Sequence, residues 1–161
     1  MLRLLSLVCT FIAALSVWPT ATPALAETRS LSQGWLFEAG ESKGAENPAF
    51  DDRGWRSVVV PHDWSIMDKP DGSPPFDPEA IAGQDSGYLP GGIGWYRRHL
   101  HLTAAEAASV VRLNFEAVYM DADVWVNGEH LARHPYGYTA FSVDLTGKVA
   151  NKWLPEIPAN R

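Results

Sequence analysis

The sequence predicts an all-β fold, an antiparallel β-sandwich of jelly-roll type, and three observations predict it. Apolar and polar residues alternate in short runs that are separated by Gly, Pro, Asn and Asp. The dipeptide Asn127-Gly128 stands between two such runs, the strongest local signal for a two-residue hairpin. Beyond residue 26, no long segment repeats its apolar residues at the 3.6-residue period of a helix.

The chain opens on a segment that is not expected to join this fold. Arg3 supplies a positive start, Leu4 to Val17 is almost entirely apolar, and Ala24-Leu25-Ala26 has the small-x-small pattern of a secretory cleavage site. Residues 1–26 therefore read as a signal peptide cut after Ala26, which sends the mature chain to the periplasm or the extracellular space. The apolar run is short for a membrane span, and Pro19 and Pro23 follow it, so a retained anchor is the weaker alternative. Residues 27–150 are expected to form one domain, a length sufficient for a real core.

Within that domain the elements follow in order. Gly34-Trp35-Leu36-Phe37 predicts a first strand, and Trp55 to Val60 a second, closed by Pro61. Ser65 to Pro90 is a long loop rich in Pro, Gly and Asp, and loops of that length in a domain are functional or disordered. Trp95 to Leu102 predicts a third strand with Tyr96, Leu100 and Leu102 on one face. Ala104 to Ala108 suits a single helical turn. Val111, Leu113 and Phe115 alternate with Arg112, Asn114 and Glu116, marking a strand with one wet face. Asn127-Gly128 joins Asp123–Val126 to Glu129–Ala132, and Phe141, Val143 and Leu145 line one face of a further strand. Asn151 to Arg161 breaks the pattern, because Pro155 and Pro158 forbid a central strand. Residues 151–161 thus read as a truncated or non-native tail that leaves the sandwich incomplete, with a short natural linker as the alternative.

Composition narrows the chemistry. The single cysteine, Cys9, lies in the signal segment, which excludes disulfides, thiol catalysis and cysteine-based zinc sites from the mature chain. The net charge is −6, and loss of Arg3 with the signal makes it one unit more negative. An acidic chain without a basic stripe argues against nucleic acid or an anionic membrane as partner, and a neutral ligand fits better. Six of the seven tryptophans lie beyond the signal. Aromatic faces stack on the C–H faces of sugars, although core burial accounts for most tryptophans in a domain of this size. No phosphate loop, nucleotide fingerprint or Ser-His-Asp order is present, and no cofactor or metal is expected. His99 and His101 share a strand spacing suited to metal, but no third ligand accompanies them.

Several motifs then stand in a telling order. Phe50-Asp51-Asp52 and Trp55 lead to Val60-Pro61-His62-Asp63-Trp64. Gly87-Tyr88-Leu89-Pro90-Gly91-Gly92 precedes Gly94-Trp95-Tyr96-Arg97-Arg98. Phe115-Glu116-Ala117-Val118-Tyr119-Met120 runs into Val124-Trp125-Val126-Asn127-Gly128, and His134-Pro135-Tyr136-Gly137-Tyr138 and Asp144-Leu145-Thr146 follow. In this order they resemble the N-terminal sugar-binding domain of glycoside hydrolase family 2, most closely its β-galactosidase-like members, from about Ser32 to about Val149. The resemblance implies a galactose-binding-domain-like jelly roll at the front of a longer secreted enzyme that hydrolyses O-glycosyl bonds in carbohydrate metabolism. It also implies a retaining mechanism in which one glutamate protonates the leaving oxygen and another attacks the anomeric carbon, the two carboxyls about 5 Å apart. In the family both sit on a (β/α)₈ barrel two domains downstream, so no residue here is assigned a catalytic role. The implied partners are a β-galactoside-like glycan and the missing sandwich and barrel domains.

The candidate sugar contacts are Asp63, Trp64, Asp85, Ser86 and Tyr88. A carboxylate beside Trp64 suits a clamp on a sugar hydroxyl, although His62 and Asp63 suit better a loop start tied down by backbone hydrogen bonds. Asp85 could accept from sugar hydroxyls and Tyr88 could stack, if their loop reaches an active-site mouth. Tyr136 and Tyr138 fit either a stacking platform or packing of a turn. Trp125 alternates with Val124 and Val126, and a neighbouring domain is expected to cover it. Two other readings stay open: a free-standing carbohydrate-binding module, and a non-functional truncated remnant.

Overall fold

The structure, a computed structural model, describes residues 26–67, 69 and 71–149. The chain divides into two compact units, Met1–Ser30 and Leu31–Arg161. Of the first, only 26–30 are described, and they carry no regular secondary structure. The signal segment before Ala26 and the tail 151–161 lie outside the described residues. Among the described residues, all the strands belong to the second unit.

That unit is an antiparallel all-β sandwich whose ladders fall into three short sheets. The first sheet has β1 (Trp35–Ala39) at its centre, between β2 (Arg56–Val58) and β3 (Gly94–Arg98). Its register sets Phe37 opposite Arg56 on one side and Tyr96 on the other. Because side chains alternate along a strand, Phe37 and Tyr96 share one face while Trp95 and Arg97 point to the other. The third strand is shorter than expected. It ends at Arg98, which pairs with Trp35, the first residue of β1; beyond it the His99 ring lies 2.8 Å from Asp52 Oδ2 and Leu100 is exposed.

After β3 comes the single helical turn α1 (Ala104–Ala107). Thr103 and Glu106 close a capping box around its start, each side chain accepting from the other's backbone N–H at 3.2 and 2.5 Å. β4 (Arg112–Phe115) then pairs with the last strand, β7 (Phe141–Asp144), and the opposed Phe115 and Phe141 rings stack at 4.6 Å and 12°. Between them lies the hairpin of β5 (Ala122–Val126) and β6 (Glu129–His134). Its two turn residues, Asn127 and Gly128, have φ of 51° and 84°, the positive pair that this kind of turn requires.

The ladder of that hairpin slips between Val124 and Trp125, a bulge that re-aims the tryptophan. Trp125 therefore meets Trp95 of β3 at 5.5 Å and His130 at 5.0 Å. Part of the cover of Trp125 thus comes from a tryptophan of its own domain, and the residue stays half-buried. The core holds Phe37, Ala45, Val58, Val143 and Leu145, and among the described residues no large side chain is completely shut off from solvent.

Candidate functional site

The long loop after β2 carries all five sequence-derived candidates, and several of its polar side chains are spent on its own backbone. Asp63 caps the 3₁₀ turn Trp64–Ile66, accepting from Ser65 N at 3.0 Å and from Ser65 Oγ at 2.6 Å. Asp71 does the same for Ser73, at 2.9 and 2.6 Å, and Asp77 accepts from Glu79 N at 3.0 Å. Short acidic side chains bent back on the backbone two residues ahead are what hold a Pro- and Gly-rich loop in one conformation. Asp63 is thus a turn-former first. Trp64 lies half-buried with its ring 5.9 Å from Phe37.

Ser86 is likewise engaged inside the loop. Its hydroxyl donates towards the carbonyls of Gly83 and Leu89, at 3.1 and 3.3 Å, within the 3₁₀ turn Gly83–Ser86. Asp85 in the same turn is exposed, and its carboxylate has no partner among the described residues. Tyr88 has φ of 61° and stays 45% exposed, while its backbone is pinned by Asp77 N to Tyr88 O at 2.7 Å and Tyr88 N to Gly83 O at 2.8 Å. A firmly held backbone that presents one free carboxylate and one open phenol ring suits a contact with a polyhydroxyl ligand. The structure does not join these residues to the other pair: no hydrogen bond or ring contact among the described residues links Asp63 and Trp64 with Asp85, Ser86 and Tyr88.

At the loop's start lies a polar cluster. His62 Nδ1 is 2.9 Å from Tyr96 Oη, and its Nε2 is 3.2 Å from Arg56 Nη2. A guanidinium only donates, so Nε2 accepts and Nδ1 carries the proton towards the phenol oxygen. Burial, and then the Arg56 charge, pull the His62 pKa below the ordinary 6.5, against a smaller opposing pull from Asp63. Burial, with the Asp63 charge second, pushes Tyr96 upward. Both groups are neutral near pH 7, which suits a packed tie rather than an acid–base pair. Their ring partner is Phe37, at 5.0 Å from His62 and 4.9 Å from Tyr96.

Elsewhere, Asp52 takes both His99 and, at 3.6 Å, Arg97. His101 is exposed. Among the described residues no three His, Cys, Asp or Glu side chains converge as metal ligands would. A depression of about 350 Å³ lies over the end of the β4–β7 pair, lined by Asn114, Phe115, Glu116, Ala140, Phe141 and Ser142. It offers one carboxylate, Glu116, where retaining hydrolysis needs two.

A second aromatic group was only half visible in the sequence. Tyr136 and Tyr138 are 57% and 74% exposed, and Tyr119, distant in sequence, joins them at 71%. The rings of Tyr119 and Tyr138 meet at 5.8 Å and 76°, those of Tyr136 and Tyr138 at 5.6 Å and 61°. Spacing along the chain showed the Tyr-Gly-Tyr pair, but nothing local could attach Tyr119 to it.

Relatives settle the ancestry. The chain is 40% identical over 120 residues to the β-galactosidase BoGH2A of Bacteroides ovatus, covering 74% of this chain and 13% of that enzyme. Among solved structures, a glycosyl hydrolase family 2 member from Bacteroides cellulosilyticus superposes with a TM-score of 0.66 at 44% identity, over 73% of this chain and 15% of that one. This is a glycoside hydrolase family 2 domain. A β-glycosidase from Bacteroides vulgatus superposes with a TM-score of 0.68 at 36% identity, over 75% of this chain and 15% of its own. β-Glucuronidases match a comparable share of the chain at lower identity. No protein-family model matches the chain. In each of these comparisons the family 2 domain spans a small part of its relative.

Proposed function

We propose that residues 27–150 are the N-terminal, sugar-binding jelly-roll domain of a secreted β-galactosidase-like glycosidase, and that hydrolysis itself belongs to parts of the enzyme that the chain does not span. The observation that carries this reading is the match itself: 74% of this chain is accounted for by 13% of a β-galactosidase. The site agrees with a supporting role, since the loop acids are used mainly for turns and the surface depression holds a single carboxylate. On this reading Asp85 and Tyr88 are the domain's contribution to the rim of the sugar pocket, while Asp63, Trp64 and Ser86 keep the loop in shape. Residues 1–26 direct export, with Glu27 as the new N-terminus.

The test is turnover by the 161-residue chain alone on chromogenic β-galactosides, with N-terminal sequencing of the exported product. No hydrolysis above the buffer rate and a start at Glu27 are expected. Measurable turnover would overthrow the division of labour, and an exported product that still begins at Met1 would overthrow the signal reading.

A further inference from the structure

Five asparagines occur in the chain, and one of them, Asn127, is followed by glycine. An asparagine deamidates when the amide nitrogen of the next residue attacks its side-chain carbonyl carbon, so that next residue decides how easily the ring closes. Asn47 precedes Pro48, which has no N–H. Asn114 precedes the bulky Phe115 inside the β4–β7 ladder. Asn151 and Asn160 lie outside the described residues. Gly128, by contrast, has no side chain to obstruct the attack. It is exposed, as is Asn127, and among the described residues its N–H makes no hydrogen bond.

The turn itself keeps the two groups apart. Asn127 at φ 51° and Gly128 at φ 84° fit a type I′ turn, in which the first residue has ψ of about +30°. Closing a five-membered ring between Gly128 N and Asn127 Cγ requires ψ to swing far from that value, which the paired β5 and β6 prevent. Two contacts hold the turn further. Asn127 Nδ2 donates to Lys148 O at 3.1 Å, and a Cβ on Gly128 would lie 3.2 Å from Pro48 Cδ. The Asp71-Gly72 pair is guarded differently. Gly72 N donates to Lys69 O at 2.8 Å, and the Ser73 hydroxyl and N–H hold the Asp71 carboxyl below the usual carboxylate range, ionised and a poor electrophile. At Asn127 the nucleophile is free and the electrophile is an amide.

We propose that Asn127 is a spontaneous modification site, held off in the closed β5–β6 hairpin and converted to aspartyl and isoaspartyl products when the hairpin opens. Gly128 N bonds to Asn127 Cγ, the Cγ–Nδ2 bond breaks, and Nδ2 leaves as ammonia with the proton given up by Gly128 N. Water then opens the succinimide at either carbonyl. One opening gives aspartate; the other gives isoaspartate, whose main chain is one methylene longer. The aspartyl product keeps an Asp-Gly turn but has no donor for Lys148 O. The isoaspartyl product cannot rebuild a two-residue turn in register, so the ladder does not re-form as it was.

The experiment incubates the full 161-residue chain at mildly alkaline pH, with and without denaturing guanidinium chloride. Peptide mass mapping follows each asparagine, and enzymatic methylation reports isoaspartate. In denaturant, Asn127 is expected to convert ahead of Asn47 and Asn114. In buffer it should convert more slowly by about tenfold or more, since the hairpin must first open. Trp125→Ala, which removes the ring joining the hairpin to Trp95, should speed conversion in buffer. Val110→Ser, a change at an exposed residue outside the hairpin, should leave the rate as it is. Asn127→Gly, which keeps a turn-forming pair, should lose the mass gain at this site. Equal rates in buffer and in denaturant would overturn the proposal, as would an Asn127 that outlasts Asn114 in denaturant. Converted chain that refolds and melts like unconverted chain would overturn the claim that the products fail to rebuild the turn.

Discussion

Phe37 and Phe115 are both strand phenylalanines facing an aromatic residue across an antiparallel ladder, Tyr96 for one and Phe141 for the other, Phe37 in the middle of a central strand and Phe115 at the end of a two-stranded pair. Yet Phe37 is buried to 4% exposure, while Phe115 is half-buried at the lip of a depression. The difference is in what lies over each ladder. β1 is a central strand with a neighbour on both sides, and the loop that leaves β2 folds His62 and Trp64 back over its face. β4 and β7 form a sheet of two; Val143 of this pair is buried, but at the Phe115–Phe141 end the further ring contact among the described residues is His134, 4.2 Å from Phe141. Alternation is cleaner in β4 (Arg-Leu-Asn-Phe), the less buried of the two, than in β1, where Trp35, Leu36 and Phe37 are apolar in succession. Burial in this domain is decided by loops and neighbours, not by the strand pattern.

The largest effect should come from attacking the covered side. Phe37→Ala removes the ring against which His62, Trp64 and Tyr96 all pack, and about 3–5 kcal/mol of stability should go with it, read from urea or thermal unfolding. Phe115→Ala should cost about half as much or less, because part of that ring is already in water. Equal losses at the two positions would mean that the β4–β7 pair is as well covered as the three-stranded sheet, and the contrast would collapse.

The smallest of the three effects concerns pH. His62 has a folded-state pKa below the ordinary 6.5, for reasons of burial first and the Arg56 charge second. The unfolded chain therefore binds a proton at this residue before the folded one does. Stability should be full above pH 6.5 and decline as pH falls below it, since protonation favours the unfolded state. His62→Gln should flatten this limb before the carboxylates begin to titrate. An unchanged slope in the variant would move the effect to another group and weaken the idea that His62 covers Phe37 as a neutral ring.

How far the sequence reached follows the same division between local and distant causes. The strand around Leu113, the Asn127-Gly128 turn and the single turn at Ala104 were legible because alternation, a positive-φ dipeptide and a Thr-x-x-Glu cap act within a few residues. The end of β3 was not, because it depends on where its partner β1 begins, at Trp35, far upstream. The approach of Trp125 to Trp95 was not legible either, because it joins the hairpin to a strand of another sheet. Among the site candidates, the loop-start reading of Asp63 was available from the sequence and its hydrogen bonds from Ser65 agree with it, whereas the bonds of Ser86 to the carbonyls of Gly83 and Leu89 were not. Asp85 and Tyr88 keep the exposure that a ligand contact requires. The family resemblance was readable throughout because it rests on the order of motifs, which tertiary structure does not rearrange.

The Trp95–Trp125 pair has a further consequence, an optical one. Two indoles with centroids 5.5 Å apart and planes inclined at 31° are close enough for their electronic transitions to couple, and the two partners belong to different sheets. The ultraviolet circular dichroism of the folded chain should therefore carry a signed couplet that belongs to neither indole alone and vanishes when the hairpin parts from the first sheet. The domain thus contains its own gauge of whether its layers are in contact, readable without a label.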